Sequence, residues 1–244
     1  MKILVCISNV PDTTTKITFT DNNTQFNTNG VQFIINPYDE IALARAIELT
    51  EGNGSVTVIN VGDAGTEPTI RKALAIGATD AMRVNAKPLD AWFVAKQIAE
   101  YVKQNPFDLI LTGRESIDYN GSKVAAMLGE LLDIPSVSII KKLDVDGSSA
   151  TLEREIEGGK EVLTIPFPFV AGTAEGVAEP KIPNMRGIMS ARTKPLTVVE
   201  PVAVDESSKI ISYETPAPRG QVKLVPADDA AKLIDLLHTE ARVI

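Results

Sequence analysis

Short apolar runs rich in Val and Ile recur along the first 140 residues, and stretches of helical periodicity separate most of them. The runs cover residues 3–7, 55–61, 81–84, 108–112 and 136–140. Runs this short and continuous fit strands buried on both faces, because crossover helices cover a parallel sheet above and below. The helical stretches agree. Residues 39–50 place Leu43, Ala44 and Ile47 on one face. Thr66 is a candidate N-cap for a helix with Pro68 in its first turn, Ile70 and Leu74 on one stripe and Gly77 as its stop. Residues 91–102 and 124–132 carry further apolar stripes. The alternation predicts a doubly wound, mainly parallel α/β sheet.

The pattern changes near residue 145. Alternating segments at 150–155 and 160–165 flank Gly158-Gly159 and predict a β-hairpin. Residues 180–192 hold Pro, Met and Arg without clear periodicity, and 201–226 read as loop, with prolines at 201, 216, 218 and 226. A last amphipathic helix over about 228–239 carries Ala230, Leu233, Ile234 and Leu237 on one face. We therefore expect a domain over 1–200 and a C-terminal arm over 201–244, packed on its own domain or reaching another chain.

Composition excludes several functions. One Cys leaves no disulfide framework or thiolate zinc cluster, and with one His no metal ligand set is expected. A net charge of −8 argues against non-specific nucleic-acid binding, which needs clustered cations. No apolar run approaches a membrane span or the core of a signal peptide, so a cytoplasmic protein without membrane insertion is expected. No Ser/His/Asp set or carboxylate pair can be assembled, so no catalytic residue is assigned.

In an open α/β sheet, ligands bind beyond the carboxyl ends of the strands, where the strand order reverses. Residues 6–12, 61–66 and 113–122 fall there. The last segment is the best phosphate candidate. Gly113 and Gly121 admit close backbone approach, Asn120 and Ser122 are candidate caps for the next helix, and Arg114 adds a bidentate-capable cation. The competing reading is an ordinary capped loop with a solvated Arg114. Neither GxxxxGK[ST] nor GxGxxG after the first strand is present. Asn36-Pro37-Tyr38-Asp39 reads as a simple helix cap, Cys6 as a small core residue, Trp92 as packing, and His238 as a helix C-terminal cap.

Together the motifs resemble a family. Ile3-Leu4-Val5-Cys6, Ile35-Asn36-Pro37-Tyr38-Asp39-Glu40, Arg71 to Ala78, Gly113-Arg114-Glu115-Ser116-Ile117-Asp118, Arg154 to Gly159 and Pro183 to Lys194 resemble, in this order, the beta subunit of electron transfer flavoprotein. The resemblance runs nearly the full length, more loosely beyond residue 200. It implies a Rossmann-like fold of the adenine nucleotide alpha hydrolase-like kind, with an added β-hairpin and the arm packed on an alpha subunit. It also implies a bacterial cytoplasmic heterodimer that carries electrons from flavin-dependent dehydrogenases, such as acyl-CoA dehydrogenases, to a quinone oxidoreductase at the membrane. The implied cofactors are AMP in this subunit and FAD held mainly by the alpha subunit. Carried over by position, the nucleotide site uses Cys6, Asn36, Pro37, Tyr38, Asp39, Val61, Gly113, Arg114, Ser116, Ile117, Asp118, Asn120, Gly121, Ser122, Lys123 and Val124. A partner-recognition loop over 178–192 uses Pro183, Met185, Arg186 and Ile188, with Met185 as the anchor; a Met185 packed into its own domain is the rival reading. Two alternatives stay open. One is a bifurcating-type beta subunit with a second FAD in place of AMP, although Tyr119 to Val124 differs from the loop of such relatives. The other is a stand-alone, universal-stress-like nucleotide-binding regulator.

Overall fold

Ile3 and Val5 point to one side of the first strand and Leu4 and Cys6 to the other, and all four are buried. That period of two, with both faces apolar, makes this strand the middle of a covered sheet. The structure, a computed structural model, describes residues 1–218 and 220–244. In chain order the strands and helices are β1 (Lys2–Cys6), β2 (Asn9–Pro11), β3 (Phe19–Thr20), β4 (Gln25–Phe26), β5 (Phe33–Ile35), α1 (Pro37–Leu49), β6 (Ser55–Val61), α2 (Glu67–Ile76) and β7 (Asp80–Val84). They continue with α3 (Ala91–Gln104), β8 (Leu109–Gly113), α4 (Val124–Leu132), β9 (Ser136–Asp146), β10 (Ser149–Ile156), β11 (Gly159–Pro166), β12 (Phe169–Thr173), α5 (Met185–Ala191), β13 (Leu196–Val199) and α6 (Ala230–Leu236).

The main sheet has nine strands in the order β11-β10-β9-β12-β8-β1-β6-β7-β13. All neighbours are parallel except the β9-β10 and β10-β11 pairs. The fold is therefore the doubly wound α/β sheet that the alternation predicts. The chain winds outward from β1 through β6 to β7, then crosses back to β8 on the other side of β1, so the order reverses between β1 and β8. On one face α1, α2 and α5 cover Ile3, Val5, Leu109 and Leu111, using Leu43, Ile70, Leu74 and Ala191. On the other, α3 and α4 cover Leu4, Cys6 and Ile110, using Phe93, Ile98 and Leu128. Each large apolar side chain buried this way contributes roughly 1.5–3 kcal/mol.

Several expectations need correction. Thr66 stands before α2, but its side chain does not cap it. Its hydroxyl donates instead to the Asp63 carbonyl (2.8 Å), because a 3-10 turn at Ala64–Thr66 precedes the helix. The stop at Gly77 has φ 155°, and a Cβ there would strike Ile47. The strand expected to end at residue 140 runs on to Asp146 and becomes the first strand of the β9-β10-β11 meander, past an irregular pairing at Glu153/Arg154. Two strands of the main sheet had no counterpart in the reading. β12 follows Pro168 and contains Gly172, yet pairs with both β8 and β9 near the sheet centre. β13 forms the edge beside β7. Residues 185–191, read as aperiodic, form α5, with Asn184 as N-cap accepting from the Gly187 amide (2.8 Å).

After β13 the chain is tied to its own domain at intervals. The Gln97 side chain takes both backbone groups of Val202 at 2.8 Å each. Asp90, the N-cap of α3, accepts from the Phe93 amide (2.7 Å) and from the amides and hydroxyls of Ser207 and Ser208. Burial alone would raise this carboxyl, but those hydrogen bonds outweigh it and hold its pKa down at about 2. Among the described residues, Tyr213 makes the last hydrogen bond from the arm to the domain. Beyond it, α6 lies between a 3-10 turn at Ala227–Asp229 and a π turn at Leu237–Ala241, shorter than the helix expected over 228–239. Leu233 and Ile234 on α6 stay exposed. His238 sits in the π turn, with Nδ1 3.0 Å from the Ile244 carbonyl.

Candidate functional site

Because the strand order reverses between β1 and β8, their carboxyl ends splay and the segments following them part. Asp39 bridges that gap. It lies in the first turn of α1 with its side chain buried between the two strand ends. One carboxylate oxygen accepts from the Ser8 amide (2.7 Å) beyond β1, the other from the Gly113 amide (2.9 Å) at the end of β8. Burial pushes this carboxyl up to about 7, while hydrogen bonds from Ser8, Asn36 and Gly113 pull the other way. Gly113 is required for this approach, since a Cβ would collide with the Asp39 carboxylate and with Tyr38.

Asn36 makes a second brace. It occupies the N-cap position of α1 but makes no side-chain capping bond, so it is not the simple cap its place suggests. Its side-chain nitrogen donates to the Glu115 carbonyl (2.8 Å), and its oxygen accepts from the Ile117 amide (3.1 Å). Thr173, buried at the end of β12, adds a third: its hydroxyl lies 3.1 Å from both the Tyr38 and Thr112 carbonyls. The N-terminus of α1 and the chain leaving β8 are thus locked into one unit, with Pro37 opening the helix.

Beyond Ile117 the loop turns outward. Asp118, Asn120, Gly121, Ser122 and Lys123 are exposed, and Ser116 and Val124 half-buried. Asn120 and Ser122 adopt left-handed φ values of 49° and 50°, and neither caps α4. The N-cap is Lys123, without a side-chain bond, and the Ser122 hydroxyl donates to the Arg114 carbonyl instead (2.8 Å). Gly121 has open space where a Cβ would stand. The amides of Gly121, Ser122 and Lys123 donate to no acceptor among the described residues. Donors of this kind ahead of a helix N-terminus suit an anion.

Arg114 is more enclosed than a solvated loop arginine. Its guanidinium lies over the Tyr38 ring, 5.4 Å from the centroid, with Nε 3.5 Å from the Glu115 carboxylate. That Nε is buried and makes no hydrogen bond among the described residues. Burial, then the neighbouring Glu175 carboxylate, raises the Tyr38 phenol. Cys6 projects into the core opposite, where burial, then the Asp39 carboxylate, pushes its thiol far above the ordinary range. Val61 ends β6, the strand on the other side of β1 from β8.

The structure thus gathers Asn36 to Asp39 with Gly113 to Ile117 by direct bonds, while Val61 stands a strand away. Sequence reasoning placed Ser8 and Glu115 inside the candidate segments without a role for either, and missed Thr173 and Glu175. The two residues on and after β12 gave no signal, because that strand itself was not recognised. Surface depressions of about 340 and 350 Å3 beside Gly129 and between Lys96 and Val204 bring no comparable set of groups together.

A second exposed feature lies on α5, which packs on α2. A Cβ on Gly187 would run into the Ala75 carbonyl, and Arg71 and Lys194 tie the flanking chain to α2. This mounting turns Met185 (74% exposed), Ile188 and Met189 outward beside Ile182 (93%), so Met185 is not packed into its own domain. Pro183 and Gly187 are half-buried, and Arg186 is exposed.

A family model described as "Electron transfer flavoprotein domain" matches residues 23–204. The chain is similar to the electron transfer flavoprotein subunit beta of Bacillus subtilis (strain 168), at 36% identity with both proteins covered completely. The protein of that name from Syntrophomonas wolfei is 31% identical over 100% of this chain and 98% of its own. The human protein of that name is 32% identical over 97% of this chain and 98% of its own.

Proposed function

This chain belongs to the electron transfer flavoprotein family, as a beta subunit, and from that premise we propose that its β1/β8 cleft binds AMP in a heterodimer with an alpha subunit. The observation that carries this reading is the double brace of Asp39 and Asn36. It fixes a backbone-lined loop beyond the strand-order reversal and leaves the amides of Gly121 to Lys123 free among the described residues. The chemistry of these groups fits a mononucleotide. The Cys6 backbone and the Asn36–Asp39 turn line the base and sugar, and the Gly121–Val124 segment with the α4 N-terminus takes the phosphate. Arg114 stays as a cation at the rim, stacked on Tyr38 and balanced by Glu115, with Glu175 beside the Tyr38 phenol.

FAD, held mainly by the alpha subunit, supplies the redox chemistry when bound. This chain's part is to position and enclose, which needs no acid–base pair and suits the inventory of side chains. Electrons enter from flavin-dependent dehydrogenases such as acyl-CoA dehydrogenases, which dock on the Pro183–Ile188 segment with Met185 as anchor. They leave to a quinone oxidoreductase at the membrane, while this subunit itself stays in the cytoplasm; among the described residues no helix is long and apolar enough to cross a membrane. The arm beyond residue 200, α6 above all, packs on the alpha subunit.

The test is to co-purify the chain with its alpha partner and identify the released nucleotides. One AMP and one FAD per heterodimer are expected. Two FAD and no AMP would move the chain to the bifurcating type.

A further inference from the structure

We propose that Tyr213, through Phe19 and Tyr119, latches the C-terminal arm onto the nucleotide loop, so that binding at the loop and closure of the arm reinforce each other. Three segments distant in sequence meet at this point. Phe19 belongs to the small β3-β4 hairpin, Tyr119 to the loop between β8 and α4, and Tyr213 to the arm. The Phe19 and Tyr213 rings stack with centroids 4.8 Å apart and planes within 9°. The Tyr213 amide donates to the Asn23 carbonyl (2.7 Å), and its hydroxyl lies 3.4 Å from that of Tyr119.

The place of the contact matters more than its strength. Tyr119 is 65% exposed and lies just ahead of Asn120, Gly121 and Ser122, where left-handed φ values occur. Asp39 and Asn36 hold the loop from Gly113 to Ile117 but make no bond beyond it. Tyr119 is the outer loop's link to the arm. Arm closure therefore restricts the segment whose amides await a phosphate, and an anion ordering those amides restricts Tyr119. Each event lowers the ordering cost of the other, and the coupling is reciprocal. Burial, then Tyr213, raises the Tyr119 phenol, so the Tyr119 hydroxyl keeps its proton at neutral pH.

The inference rests on the proposal that AMP binds at this loop, and its test separates the two. Lys209 is exposed and lies between the Ser208 tie and Tyr213, so tryptic cleavage after Lys209 reports the latch. AMP affinity and that cleavage rate are measured on the full-length chain, on Tyr213→Ala and on Tyr213→Phe. We expect AMP to slow cleavage of the unaltered chain, and Tyr213→Ala to bind AMP about fivefold more weakly and lose the protection. Tyr213→Phe keeps the stack, so its cleavage without AMP stays slow, while the protection AMP adds is reduced. Equal AMP affinity in all three with unchanged protection would overturn the latch and leave the nucleotide site standing. No AMP binding by the unaltered chain would overturn both. If Tyr213→Ala fails to fold, Tyr213→Phe decides: full added protection sinks the coupling.

Discussion

The β1/β8 cleft and the C-terminal arm both run over the sheet domain, yet they are held in opposite ways. At the cleft the cross-bracing side chains are buried. Asp39, Asn36 and Thr173 each join two or more backbone segments from inside, shielded from water. The arm is fastened at intervals, first by the buried Gln97 side chain and then from outside by Asp90 and Tyr213, with mostly exposed chain between the ties. A buried brace has no water to replace a lost partner, whereas an exposed tie exchanges one hydrogen bond for another. The difference predicts a rigid site and a detachable arm.

The contrast is broken most severely at Gly113. Gly113→Ala drives a Cβ into the Asp39 carboxylate and Tyr38, and should cost about 3 kcal/mol or more. A urea midpoint close to that of the unaltered chain would show that the cleft is looser than its bonds suggest.

Asp39 sharpens the same side by pH. Its carboxyl titrates near 7 in the fold against 3.8 as the reference. The folded state therefore holds the proton more tightly. The resulting stabilisation is complete below about pH 4 and is lost as pH rises through 7. Between about pH 6 and pH 8 the chain should lose on the order of 1 kcal/mol that Asp39→Asn does not lose. Parallel pH profiles of unfolding for the two proteins would refute this.

On the arm side, Asp90→Ala removes the α3 cap and the Ser207–Ser208 tie at once. A stability loss of about 1 kcal/mol is expected, with much faster trypsin cleavage after Lys209. An arm that stays protected would mean that Gln97 and Tyr213 suffice. Met185→Ala should not move stability, since the side chain projects from α5. It should slow electron uptake from a partner dehydrogenase, by a docking loss of about 2 kcal/mol, with FAD content unchanged. An unaltered rate would remove Met185 from docking.

The halves also differed in how far the sequence revealed them. The winding of β1, β6, β7 and β8 was legible because each buried run is flanked by a helix of its own period. β12 was not, since a five-residue strand beside Pro168 and containing Gly172 carries too little pattern to separate from loop. With it went Thr173 and Glu175. At the site, residue identity was legible and bonding was not. Asn36 and Asp39 sit where helix caps sit, but only the spatial approach of the loop after β8 turns them into cross-braces. Asn120 and Ser122 misled for a related reason: capping residues are also those that tolerate left-handed backbone.

The central claim is that the braced loop after β8 is a mononucleotide site. Titrating AMP into the isotope-labelled full-length chain and following backbone amide resonances tests it most directly. Gly113 to Val124, with Ser8 beside them, should shift together and saturate at one equivalent. Saturable shifts confined to other parts of the sheet, with the Gly121, Ser122 and Lys123 amides unmoved, would contradict it.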